Sequence, residues 1–102
     1  LNNDQNEIYL LGKIVVNAKN INNFYKSFQI KKIYRKKIEQ LELDFVYNFN
    51  KNKFTFDNVI IDKKSSDKLN NFLNEFNSSE KKFLNKISFK NFINNFFENY
   101  AG

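Results

Sequence analysis

The chain has 102 residues, a formal charge of +6 at pH 7, and neither Cys nor His, so it has the length of one small domain and excludes disulfides, zinc sites of the usual kinds and the commonest general base. An aromatic fraction of 18% excludes a disordered segment, and two Gly with no Pro argue against a flexible linker or a turn-dense all-β domain. Asn, Lys, Ile and Phe dominate and Arg35 is the only arginine; these are residues with AT-rich codons, so the positive balance is weak support for a nucleic-acid partner.

In chain order, the polar stretch up to Glu7 is expected to fray or to continue an upstream element. A chain that begins at Leu1 and contains no Met is expected to be a piece of a longer polypeptide, which makes the missing leader peptide and membrane anchor uninformative. Ile8 to Ala18 alternates as a long strand, with Ile8, Leu10, Gly12, Ile14 and Val16 on one face; Gly12 marks a bulge, a bend or a close approach. Asn20 is placed to cap a helix near 20–28 in which Ile21, Phe24, Tyr25 and Phe28 recur at helical spacing. The cations Lys31, Lys32, Arg35, Lys36 and Lys37 follow. Their bland reading is a solvated connector; their sharper one is contact with the anionic phosphates of lipid or nucleic acid.

Two alternating segments come next, Leu41 to Phe49 and Phe54 to Ile61. In the first, Leu41, Leu43, Phe45, Tyr47 and Phe49 share a face; in the second, Phe54, Phe56, Asn58 and Ile60 do. A reversal about the Lys51–Asn52 bond pairs Phe49 with Phe54, Tyr47 with Phe56 and Leu43 with Ile60. Ser66 and Asp67 then start an amphipathic helix carrying Leu69, Phe72, Leu73 and Phe76 and ending near Asn77. Ser79 and Glu80 are read as the start of a short helix burying Phe83, Leu84 and Ile87. The stripe Phe89, Phe92, Ile93, Phe96, Phe97 and Tyr100 points in another direction, which predicts a break with Ser88 capping a final helix to about Tyr100 and Gly102 as its stop.

The expected fold is therefore α+β: an antiparallel sheet of about three long strands, a short connecting helix and two to three C-terminal amphipathic helices. The sheet occupies 8–62 and the helical cap 65–102 of a single fragment.

Catalysis is not expected. Glu42 and Asp44 sit on a polar face where nothing raises a carboxyl pKa, and Ser65, Ser66, Ser79 and Ser88 lack an activating His. No catalytic, metal or cofactor residue is assigned. Binding is the open question. The apolar sheet residues Leu43, Phe45, Tyr47, Phe54, Phe56 and Ile60 either close under the helices as an ordinary core or stay partly open to an acyl chain, and both uses want the same side chains. The final helix has a nearly neutral polar side, which favours packing on the sheet over lying on a membrane surface. A nucleic-acid-binding domain ranks third, because the aromatics fall in apolar stripes.

The chain resembles the C-terminal part of AsmA-like proteins from AT-rich alphaproteobacteria. The resemblance rests on Gly12-Lys13-Ile14, Asn23-Phe24-Tyr25, Phe28-Gln29-Ile30 with Arg35, Phe45-Val46-Tyr47-Asn48-Phe49, Phe56-Asp57-Asn58 and the closing Asn99-Tyr100-Ala101-Gly102. It implies a large protein held in the inner membrane by an N-terminal helix outside this chain, projecting a groove-forming sheet into the periplasm. It also implies phospholipid as ligand, a part in phospholipid movement and outer-membrane biogenesis, an envelope protein partner at the C-terminus, and no catalytic residue. This fragment would be the distal end of the groove with helices capping it; the rival expectation is a closed-core structural or protein-interaction module of the envelope.

Overall fold

The computed structural model describes residues 6–79 and 85–102. Strands β1 (Tyr9–Asn17), β2 (Gln40–Asn48) and β3 (Lys53–Ile61) form one antiparallel sheet in the order β1-β2-β3. Helix α1 (Ile21–Ser27) and a 3₁₀ turn at Lys32–Tyr34 link β1 to β2, and α2 (Asp67–Ser78) and α3 (Lys86–Ala101) follow the sheet. The fold is α+β, as the period-two and helical stripes predict.

The hairpin departs from its predicted register. Tyr47 pairs with Phe54 and Phe45 with Phe56, so the reversal centres on Asn50–Lys51, one position earlier than the sequence suggested. The cause is Asn48, whose Oδ1 accepts hydrogen bonds from the N–H groups of Asn50 at 2.9 Å and Lys51 at 3.0 Å and closes the loop early. Asn52 takes a left-handed conformation at φ 53°, which its short amide side chain tolerates.

A second departure changes which side chains face inward. Asp44 pairs with Asp57 but Glu42 pairs with Ile60, so β3 carries one extra residue, and Asn58 in that bulge has φ 53°. The bulge inverts the alternation beyond it. Val59 and Ile61 turn into the core beside Phe56, while Ile60, expected on the apolar face opposite Leu43, lies opposite Glu42 on the other side. At Gly12 there is no bulge: it pairs regularly with Phe45, and a Cβ there would sit 2.5 Å from Phe45 Cζ. The glycine serves a close approach of the ring.

The core mixes aliphatic side chains with a cluster of aromatic rings centred on α3. Phe92 stacks on Phe56 at 4.4 Å between ring centroids and contacts Phe76 of α2 at 4.7 Å and Phe72 at 5.8 Å. One turn on, Phe97 meets Tyr25 of α1 edge-on at 5.1 Å and Phe24 at 6.0 Å. Such tilted and offset pairs are the arrangements ring quadrupoles favour.

Ser66 caps α2 as predicted, accepting from Leu69 N, with Asp67 in its first turn. The final helix starts earlier than predicted. Asn85, not Ser88, caps it by accepting from Ser88 N at 2.9 Å, which leaves Ile87 in the first turn and exposed rather than buried. Phe83 and Leu84 lie outside the described residues. Asn20 occupies the cap position of α1 but bonds Asn17 instead of the helix N–H groups.

Tyr25 is buried with its hydroxyl donating to Lys36 O at 2.7 Å. Burial, reinforced by Tyr100 and Asp62 and opposed by Arg35, pushes its pKa up to about 12 from 10.0. The folded state thus favours the neutral phenol, and its contribution is complete below pH 10, where neither state ionises. It is lost as the pH climbs from 10 through 12, because the unfolded chain ionises first. Tyr25→Phe is expected to flatten that alkaline fall in thermal midpoint, measured by circular dichroism at intervals across it. Phe92→Ala is expected to cost about 3–5 kcal/mol in urea unfolding, against less than about 0.5 kcal/mol for Ile87→Ala.

Candidate functional site

The face of the sheet that meets the helices is covered over only part of its length. Cross-strand rows follow from the register: Val16, Leu41 and Ile61; Ile14 and Leu43; Gly12, Phe45 and Phe56; Leu10, Tyr47 and Phe54; and Ile8 beside Phe49. The rows nearest the helices are closed, since Val16, Leu41, Leu43, Phe56 and Ile61 are all buried. The rows at the hairpin are not. Leu10 is 51% exposed, Phe49 52% and Ile8 62%, with Tyr47 half-buried among them.

Aromatic rings run without a gap from the core to this open end. Phe54 lies 6.0 Å from Phe56 and nearly parallel to it, Tyr47 is 4.6 Å from Phe54, and Phe49 is 4.7 Å from Tyr47. Phe45 and Phe54 pack on the edge of the core and mark the boundary. The Tyr47 hydroxyl bonds the Asn52 side chain, which turns the one polar group of this row away from the apolar surface.

Of the residues the sequence nominated to face a lipid, Phe45, Tyr47 and Phe54 belong to the boundary or the open end. Leu43 and Phe56 are corrected: both are buried in the core, Phe56 beneath the rings of Phe92 and Phe76. Ile60 is corrected too, since the Asn58 bulge turns it to the opposite face. Ile8, Leu10 and Phe49 were missed as site residues. The signal was present in the strand alternation, but nothing in it said where the helices would stop.

The basic candidates lie elsewhere. They belong to the connector ahead of β2, at the far end of the strands from the hairpin, a separation of about 27 Å at the strand rise of roughly 3.4 Å per residue. Within that connector, Arg35 Nε donates to Ile30 O at 2.8 Å and the Lys36 ammonium lies 5.3 Å from the centre of the Tyr100 ring. Arg35 closes a turn within the connector, and Lys36 fastens it to α3. Lys31, Lys32 and Lys37 are exposed. The cations and the open apolar end therefore do not form one site.

Among the described residues no helix covers the other face of the sheet. Its centre carries Lys13 between Glu42 at 3.3 Å and Asp44 at 3.9 Å, with Asp57 across from Asp44. A notch of about 110 Å³ opens beside Phe56, Asp57 and Asn77, well below the few hundred Å³ of an ordinary ligand pocket. Among the described residues no group of acids converges as a metal site, and no helix is long and apolar enough to cross a membrane. Comparison with protein-family models, curated proteins and solved structures finds no match to this chain.

The contact over Gly12 is open to a direct check. Gly12→Val should force the Phe45 ring aside and cost about 1–3 kcal/mol in chemical denaturation, and the penalty should shrink in a Phe45→Ala background; equal penalties in both backgrounds would disprove the contact.

Proposed function

We propose that this chain is a non-enzymatic lipid-binding segment in which the helices plug one end of an antiparallel sheet and acyl chains lie along the apolar face that remains open. The observation that carries the reading is the uncovered surface of Ile8, Leu10, Tyr47 and Phe49, continuous through Phe54 with the buried aromatic core. A soluble surface does not usually concentrate large apolar side chains this way without a use for them. The side chains of this patch are exposed, so the lipid would rest on a surface. Burying about 200 Å² of apolar surface at about 25 cal/mol per Å² gives roughly 5 kcal/mol before the cost of ordering the chain. That suits transient holding more than tight capture.

The resemblance to AsmA-like proteins gives this reading its setting. The chain would be the distal, helix-capped end of a periplasmic phospholipid groove whose anchor lies in the inner membrane, and an envelope partner would meet the C-terminal helices. Lys31, Lys32 and Lys37 are too far from the open end to hold the headgroup of an acyl chain seated there; they would meet anionic groups separately. The closed-core alternative describes the half of the sheet beneath α2 and α3, but not the hairpin half.

The test uses phosphatidylglycerol bearing a photoreactive acyl chain, presented in vesicles to the purified chain. Crosslinks are expected on residues 8–10 and 45–54, and the double substitution Leu10→Asp with Phe49→Asp should lower labelling at least tenfold while the circular dichroism spectrum is kept. Absence of labelling in the unsubstituted chain, or labelling spread evenly over the surface, would reject the proposal.

A further inference from the structure

The excess positive charge of this chain is gathered in one place. Six of its seventeen cations, Lys26, Lys31, Lys32, Arg35, Lys36 and Lys37, fall between positions 26 and 37 with no acid among them, and the other eleven are matched by eleven acids. The net charge of +6 is therefore the charge of this one segment. Codon bias raises a chain's total of Lys, but it does not keep acids out of a single run. Among the described residues no ion pair engages Lys31, Lys32 or Lys37.

The middle of the segment is a fixed turn with an aliphatic tip. Ile30 and Ile38 are buried on either side of it, Tyr34 N donates to Lys31 O at 2.9 Å and Arg35 N to Lys32 O at 3.1 Å, and the Tyr25 hydroxyl holds Lys36 O. Tyr34 packs against the core. Ile33 does not: at 77% it is the most exposed large apolar side chain among the described residues. Lone exposed aliphatics are ordinary on protein surfaces, but this one stands at the centre of a basic turn that the core holds from both ends.

Charge and tip together select among anionic partners. Nucleic acid offers phosphates and bases that stack on exposed rings, yet the rings of this region, Tyr25 and Tyr34, belong to the core. A bilayer containing anionic lipids offers phosphates at its surface and, just beneath them, an apolar layer that takes up an aliphatic side chain. We propose that this turn docks the chain on an anionic bilayer, with Lys31, Lys32 and Lys37 against lipid phosphates and Ile33 entered between the headgroups. Each Lys near such a surface strengthens binding about fivefold, and salt screens that gain. A single short apolar side chain adds a shallow hold, so the attachment is reversible. The turn lies at the opposite end of the strands from the hairpin and does not depend on acyl chains resting there, so either reading can fail without the other.

The chain contains no Trp, and Ile33→Trp places a single fluorophore at the tip. Vesicles of equal parts phosphatidylglycerol and phosphatidylcholine are expected to shift its emission to the blue, and bromine on their acyl chains to quench it; phosphatidylcholine alone should do neither. In co-sedimentation with the mixed vesicles, Lys31→Gln, Lys32→Gln and Lys37→Gln combined should weaken binding of the otherwise unsubstituted chain at least tenfold, as should raising NaCl from about 0.05 to about 0.5 M. Ile33→Asp should weaken it too, and all these variants should keep the circular dichroism spectrum, since the side chains they replace are exposed. Leu10→Asp with Phe49→Asp should co-sediment as the unsubstituted chain does, which separates docking from acyl-chain holding. Equal binding to phosphatidylcholine alone, undiminished binding by the triple Lys variant, or loss of binding only in the hairpin variant would overturn the proposal. So would an equal blue shift with a duplex oligonucleotide or with polyglutamate, which would give the turn to a nucleic acid or an acidic protein.

Discussion

The stack of Phe56 on Phe92 fixes where the helices can lie. Phe92 is held from above by Phe72 and Phe76 of α2, so the sheet, α2 and α3 meet at one ring. With α3 seated there, its next turns carry Phe96 and Phe97 toward Tyr25 and α1, away from the hairpin. The aromatic row of the sheet continues past Phe56 to Phe54, Tyr47 and Phe49, and at its end Phe49 and the neighbouring Leu10 and Ile8 are exposed. The open apolar end is thus a direct consequence of where the helices are pinned.

Polar side chains hold the loops to this core at a few points. Asp62 Oδ1 accepts from Glu39 N at 2.7 Å and Gln40 N at 3.0 Å, tying the end of β3 to the start of β2. Arg35 and Tyr25 bond carbonyls of the connector, and Asn77 bonds both backbone groups of Phe56 on β3. Each satisfies backbone groups that would otherwise lack partners, and no polar or charged side chain is fully buried among the described residues. The chain spends its asparagines in this way: Asn48 shapes a turn, Asn52 and Asn58 supply left-handed backbone, Asn77 closes an edge and Asn85 caps a helix. An AT-rich composition supplies Asn freely, and the fold uses its short amide where glycine or serine would otherwise be expected.

The functional consequence is a division along the long axis. One end has a closed core with a cationic connector across it; the other exposes Ile8, Leu10 and Phe49. An apolar ligand would engage the open end through side chains on a face. The exposed cations remain at the far end, so any anionic contact they make is separate from it.

The sequence by itself determined the strands, the helices, the α+β class and the apolar faces, because these rest on periodicity, which is local. It also carried the Ser66 cap. It could not determine the parity of β3 beyond Asp57, since one extra residue at Asn58 inverts every side chain after it and leaves only an Asn as its mark. Nor could it set the hairpin register, which the Asn48 side chain decides, or the start of the last helix, where Asn85 and Ser88 offer equivalent capping chemistry. Only the tertiary structure decided which apolar residues are core and which are open. Leu43 and Phe49 belong to the same alternating stripe, yet one is buried and the other exposed, and what separates them is how far along the sheet the distant helices reach.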